Sequence, residues 1–126
     1  MIKGIGIDLV DINKIKKILE LRREKFYSRV FSEKEIKFIE SVKSKNESRG
    51  FQKAAGYFAA KEAFLKAIGT GLFSIPLNKI TVLNDYKGQP YIDLDKLDKN
   101  FKKDISSSKI SITHDKGFAC AVVVIQ

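Results

Sequence analysis

The stretch Phe58–Gly71, FAAKEAFLKAIGTG, decides how this chain is read. As a helix it sets Lys61, Glu62 and Lys66 among phenylalanines, leucine and alanines, and it stops at a glycine. An unpaired charge taken out of water costs several kcal/mol or more, so each of the three needs a partner or a task. With about 100° per residue and Phe51 as origin, Glu62 falls at about 20°, Lys66 at about 60° and Ala55 at about 40°. Phe58 and Leu65 lie at about 340° and about 320°, which places Glu62 inside the apolar stripe. Lys61, at about 280°, sits between Phe64 and Leu65. Small residues (Gln52 aside, Gly56, Ala59, Ala60, Ala63 and Ala67) fill the half that an ordinary amphipathic helix gives to polar side chains, and they allow close packing. The plainest account of Glu62 and Lys66 is an i,i+4 ion pair at a helix edge.

Outward from this stretch, the helix is expected from about Ser48 to Ile68, with Gly69 as a left-handed C-cap. The Gly69-Thr70-Gly71 triplet offers backbone N–H groups with little obstruction, although Gly69 would be there as a cap in any case. Upstream, residues 2–10 alternate, with Ile5, Ile7 and Leu9 on one face and Gly4, Gly6, Asp8 and Val10 on the other. Asp8 thus stands on a nearly bare face, where a ligand or another backbone can come close. A carboxylate from this strand and Glu62 from the helix suit a hard divalent cation that keeps waters and binds substrate phosphates. Lys66, one turn beyond, would neutralise such a phosphate. There is no His/Cys cluster of the zinc type.

Asp11 can cap a helix whose inward stripe is Ile12, Ile15, Ile18 and Leu19. From Ile12 to Arg29 seven basic residues (Lys14, Lys16, Lys17, Arg22, Arg23, Lys25, Arg29) face only Glu20 and Glu24, a net +5 out of the chain's +9. Such a stripe is either a solvated helix face or a surface for an acidic partner. Ser32 and Glu35 form a capping box that opens a second helix with Ile36, Phe38 and Ile39. After Pro76 the rhythm turns to short strands: KITVL and PYIDL form a hairpin, LDKLDKNFKKDI a short amphipathic helix with Leu94, Leu97, Phe101 and Ile105 inward, and KISITH with FACAVVVI a second hairpin across DKG. The last strand is apolar on both faces, so it is expected at the centre of the sheet. His114, at the end of KISITH, reads as a structural or exposed histidine, or as a donor to a phosphate beside Asp115 and Lys116.

Five strands and four helices with C-terminal hairpins describe an α+β fold, a mainly antiparallel sheet packed against helices. The 126 residues suit one domain spanning 1–126, with 44% hydrophobic and 31% charged residues. No apolar run approaches the roughly 20 residues of a membrane span, and the N-terminus lacks a signal-peptide pattern. The single cysteine, Cys120, excludes an internal disulfide, fits a cytoplasmic location and reads as a small core residue.

Together GIGIDLVDI, FAAKEAFLKAIGTG, GQPYI and SITHDKGFACAVVV, in this order, resemble the acyl-carrier-protein synthase family of 4'-phosphopantetheinyl transferases. The resemblance covers nearly the whole chain. It implies transfer of the 4'-phosphopantetheine arm of coenzyme A to a serine of apo acyl carrier protein, leaving adenosine 3',5'-bisphosphate, in fatty acid biosynthesis. It implies Asp8 and Glu62 as Mg²⁺ ligands, with Lys66 and the backbone of Gly69, Thr70 and Gly71 on the pyrophosphate. Arg49 would reach the 3'-phosphate end of coenzyme A, and His114 would lie near the phosphates. Lys14, Lys17, Arg22 and Arg23 would receive the acidic carrier protein. Family members are typically homotrimers with active sites at subunit interfaces; neither nucleic acid nor membrane is an implied partner. Glu62 itself and a metal-bound water polarised by Asp8 or Glu62 both suit the role of proton acceptor. The chain departs from the family at Tyr57, where many members carry arginine, and at Gln89, where lysine is common. A basic nucleic-acid-binding module and a different Mg²⁺ phosphoryl enzyme are the competing readings; the first leaves Glu62 unexplained.

Overall fold

The computed structural model describes residues 1–69 and 75–126. The fold is α+β. Strand β1 (Gly4–Asp11) leads into helices α1 (Ile12–Val30), α2 (Glu33–Lys45) and α3 (Glu47–Ile68). A hairpin of β2 (Val82–Asn84) and β3 (Pro90–Ile92), a one-turn helix α4 (Lys99–Lys102), and the long hairpin of β4 (Ser108–Asp115) and β5 (Phe118–Ile125) follow. The main sheet is antiparallel in the order β1-β5-β4, with β5 central as its two-sided apolar pattern requires. β2 and β3 form a separate two-stranded sheet. The β4–β5 turn carries Lys116 at φ 48° and Gly117 at φ 83°, the doubly positive geometry of a tight hairpin.

Helix α3 is the axis of the core. Ala54, Ala55, Ala59, Ala60, Ala63 and Phe64 have no exposed surface. Its small residues lie against the glycine face of β1, where the approach is of backbone to backbone. A Cβ on Gly4 would stand 1.8 Å from the Ala67 carbonyl oxygen, and one on Gly6 1.9 Å from that of Ala63. The bare face of the first strand is therefore bare because a helix occupies it. Ile5, Ile7 and Leu9, the apolar face, point outward and are 62–67% exposed. Val122 and Val124, half-buried on the same outer side of β5, extend this apolar sheet surface.

Caps follow the local chemistry. Asp11 accepts from the Asn13 N–H at 2.9 Å. The Ser32–Glu35 capping box is formed in both directions. Gly69 closes α3 at φ 72°. Glu35 does more than cap: its carboxylate is fully buried, pairs with the equally buried ammonium of Lys61, and accepts the Val82 N–H at 2.8 Å. Lys61 also donates to the carbonyls of Val30 and Leu77. All three ammonium protons are thereby used, tying α1, α2, α3 and the segment before β2 to one point. Burial outweighs the pairing and pulls Lys61 down to about 8.

Two expectations are corrected. Leu94–Ile105 is not one amphipathic helix: a 3₁₀ turn at Leu94–Lys96 and the short α4 divide it, because the Asp93 and Asp98 carboxylates accept the N–H groups of Asp95 and Asn100. Such local bonds compete with a continuous helix. Cys120 is not a core residue; it lies half-exposed on the outer side of β5, between Leu9 and Thr113.

Candidate functional site

Strand alternation turns Asp8 inward with Gly4 and Gly6, and the close seating of β1 on α3 brings it to Lys66. The Lys66 ammonium donates to Asp8 Oδ1 at 3.1 Å and to the Ile7 carbonyl at 2.9 Å. The expected i,i+4 partnership of Lys66 with Glu62 is thus replaced by one with the strand. Glu62 is half-buried; burial, then the Asp8 charge, raises its pKa above the ordinary carboxylate range, against a lowering by Lys66. Two carboxylates and one ammonium therefore converge on one spot.

That spot opens into a cleft of about 520 Å³, with Asp8 and Glu62 on its wall, Lys14 of α1 at its side, and Ile15, Phe26 and Phe58 as an apolar floor. Lys14 places the basic face of α1 next to the acids. Lys17, Arg22 and Arg23 are exposed further along that helix, with Arg23 in a loose 3.5 Å pair with Glu40. Arg22 itself has non-helical backbone angles (φ −144°, ψ 45°), so α1 bends in the middle of the basic stripe.

Arg49 and His114 are brought together, but elsewhere. They line a second cleft of about 230 Å³ with Lys53, Tyr57, Asn84 and Gly88. His114 shares the inner face of β4 with Ile110 and Ile112, at a strand end exposed beyond the core. Gly56 leaves the room: a Cβ there would meet Ile112 Cγ2 at 2.9 Å. Arg49 and Glu62 are thirteen positions apart on α3, about 20 Å along the axis at 1.5 Å per residue. Within one chain, the acid cleft and the Arg49–His114 cleft are separate.

Sequence reasoning missed Lys53 and Asn84. Lys53 stands one turn after Arg49 on the same side of α3, and that i,i+4 spacing was the available signal. Its ammonium lies 5.9 Å over the Phe38 ring. The Tyr57 hydroxyl, held protonated by burial, donates to Asn84, a contact between distant segments that no local pattern encodes. Gly69 donates its N–H to the Leu65 and Lys66 carbonyls and so has none left for an anion. Thr70 and Gly71, also expected to cradle phosphate, lie outside the described residues.

Two carboxylate groups suit a hard cation whose remaining ligands are water and substrate oxygens. Among the described residues no cluster of three or more His, Cys, Asp or Glu forms a closed metal cage. The donor set therefore fits Mg²⁺ shared with a phosphate-bearing substrate and does not fit a fully protein-ligated structural ion.

A family model described as the 4'-phosphopantetheinyl transferase superfamily matches residues 4–123. The holo-[acyl-carrier-protein] synthase of Clostridium tetani is 43% identical, with 100% of this chain and 97% of its own length covered. That of Halothermothrix orenii is 38% identical over 98% of this chain and 97% of its own. The structure is similar to that of a Bacillus anthracis holo-(acyl-carrier-protein) synthase in complex with CoA (3',5'-ADP). The TM-score is 0.82 at 36% identity, covering 99% of this chain and 96% of the other. The Helicobacter pylori enzyme in complex with coenzyme A aligns with a TM-score of 0.79 at 37% identity over 97% and 99%.

Proposed function

Since the chain belongs to the 4'-phosphopantetheinyl transferase superfamily, we propose that it loads apo acyl carrier protein from coenzyme A with Mg²⁺ held between Asp8 and Glu62. It is an enzyme of the phosphopantetheinyl transferase class, and the whole chain 1–126 acts as one catalytic domain. The product is a holo carrier, released with adenosine 3',5'-bisphosphate, for fatty acid biosynthesis in the cytoplasm. Among the described residues no helix is long and apolar enough to cross a membrane.

The observation that carries this reading is that Asp8 and Glu62 share one cleft beside a basic helix, with Lys66 bonded to Asp8. Attack of a serine hydroxyl on a phosphodiester needs positioning and neutralisation of developing negative charge. When bound, Mg²⁺ would supply Lewis-acid polarisation of the diphosphate. Lys66, half-exposed and already turned to Asp8, would swing to the diphosphate and add a fixed positive charge. Lys14, Lys17, Arg22 and Arg23 would attract the acidic carrier and bring its serine to the cleft edge.

The nucleotide end of coenzyme A would occupy the cleft of Arg49, Lys53 and His114. With Arg49 and Glu62 about 20 Å apart along α3, a site made of two subunits joins the acid cleft of one to the nucleotide cleft of the next. The exposed Ile5, Ile7, Leu9 and Phe118 give such an assembly its apolar contact surface, and a homotrimer is the arrangement implied by the resemblance.

The test is incubation with coenzyme A, Mg²⁺ and apo carrier protein, followed by the intact mass of the carrier. The expected outcome is a phosphopantetheine adduct that vanishes on chelation and in Asp8→Ala and Glu62→Ala, while carrier binding persists. An unmodified carrier with Mg²⁺ present would refute the reading.

A further inference from the structure

Tyr57 stands on α3 where its side chain is buried, between the Phe38 ring, stacked at 5.8 Å and 19°, and the turn after β2. Its hydroxyl donates to Asn84 Oδ1, and the Asn84 amide nitrogen in turn donates to the Gly88 carbonyl at 2.9 Å. Asp85 fixes the same turn from within. Its carboxylate accepts the N–H groups of Lys87 and Gln89 at 2.8 and 2.9 Å, while Gly88 takes φ 82°. The turn is thus held by its own hydrogen bonds, and the Tyr57–Asn84 contact joins it to α3. Gly88 and Pro90, at the end of this turn, line the cleft together with Arg49, Lys53 and His114.

We propose that Tyr57 is a positioning residue for nucleotide binding: through Asn84 it holds the 84–90 turn as one wall of the Arg49–His114 cleft, while Arg49 and Lys53 carry the charge. This rests on the transferase reading given above. A hydroxyl buried on a helix cannot replace a lost cation, but it can fix the distance between two walls. One hydrogen bond is the coupling unit, so loosening it is expected to weaken nucleotide binding about three- to tenfold.

The probe is adenosine 3',5'-bisphosphate, titrated calorimetrically into wild type, Tyr57→Phe, Asn84→Ala and the double variant, with carrier loading followed in parallel. Expected are a three- to tenfold rise in Kd for each single variant, a double variant no weaker than the poorer single one, and a raised KM for coenzyme A with kcat retained (fold-changes about those of one hydrogen bond). Non-additivity identifies the two residues as one device; a Tyr57 that touched the nucleotide directly would give multiplying effects. Tyr57→Phe keeps the stacked ring, so its thermal midpoint serves as the folding check. Two single variants that bind like wild type, or effects that multiply, overturn the inference while wild-type loading stands. Wild type that neither binds the nucleotide nor loads the carrier overturns the transferase reading, and this inference with it.

Discussion

Gly6→Ala puts the relation between packing and site under the hardest strain. A Cβ at position 6 would lie 1.9 Å from the Ala63 carbonyl oxygen, 2.8 Å from the Ala67 nitrogen and 2.9 Å from the Ala63 carbonyl carbon. All three are backbone atoms of α3, so no rotamer change relieves the clash. Cβ atoms are essentially never found within 3.0 Å of another heavy atom, so strand and helix must part by at least 1.1 Å, from 1.9 to 3.0 Å. Asp8 lies two residues further on the same strand face and moves with it. Its 3.1 Å bond to Lys66, and the 2.9 Å bond of Lys66 to the Ile7 carbonyl, would then stretch beyond hydrogen-bonding range.

A displacement of about 1 Å at a reacting centre lowers rates by about 10²-fold, and overpacking of this kind destabilises by roughly 1–3 kcal/mol or more. The assay is the initial rate of holo carrier formation, with a urea unfolding curve on the same preparation. Gly4→Ala is the companion: its clash is of the same depth, 1.8 Å to the Ala67 carbonyl oxygen, but it lies further from Asp8. Comparable stability losses with a much larger rate loss for Gly6→Ala are expected. A Gly6→Ala protein with a wild-type rate and unfolding midpoint would show that the close backbone approach is not what sets Asp8 in place.

The remaining predictions concern the buried pair, the outer sheet face and the basic helix. Lys61→Met strands the Glu35 carboxylate and two carbonyls in the core and should destabilise by about 3–5 kcal/mol, read as a lowered urea midpoint. The folded protein releases the Lys61 proton near 8 and the unfolded chain only near 10.5, so in that window the unfolded state binds more protons. The stability advantage of wild type over Lys61→Met should therefore grow as pH rises from 8 towards 10.5; a flat difference would contradict it. If the proposed homotrimer forms through this face, Ile7→Asp, on the exposed apolar face of β1, should leave the fold intact and give monomers in light scattering, with loading lost. Lys14→Glu with Arg22→Glu should weaken carrier binding and reduce its salt dependence while the Kd for adenosine 3',5'-bisphosphate stays unchanged; unaltered carrier binding would remove the docking role of α1.

What the chain disclosed in advance was local chemistry with a fixed period. The Ser32–Glu35 capping box, the Gly69 C-cap, the small-residue side of α3 and the central place of β5 follow from short-range rules. Contacts that join distant segments were not legible. Glu35 explains itself as a capping residue, and nothing nearby in the sequence announces that the same carboxylate meets Lys61 and the Val82 N–H. The alternation in β1 was visible, yet it could not say which face is covered. The answer is the glycine face, because a helix backbone can approach only where side chains are missing. The same rule misplaced Cys120: an apolar residue in a central strand is buried only if something lies over its face.

The three charges in the last turns of α3 (Lys61, Glu62 and Lys66) resolve into different tasks because each helical step turns the side chain by about 100°. Lys61 looks towards α2 and is neutralised inside the protein by Glu35, so it is a structural tie. Lys66 looks towards β1 and has solvent on one side, so its bond to Asp8 can be exchanged for another anion at low cost. Glu62 lies between them. Had it formed the simple i,i+4 pair with Lys66, the edge of the helix would be electrically closed, and neither group would favour a ligand. With Lys66 drawn to the strand, Glu62 keeps a half-buried carboxyl whose charge is disfavoured by burial and by Asp8. Asp8 and Glu62 would hold a cation, whose charge would relieve that repulsion and leave the Lys66 ammonium free for phosphate. On the proposed reading, binding of metal and of diphosphate are thus coupled through the exchange of one ion pair.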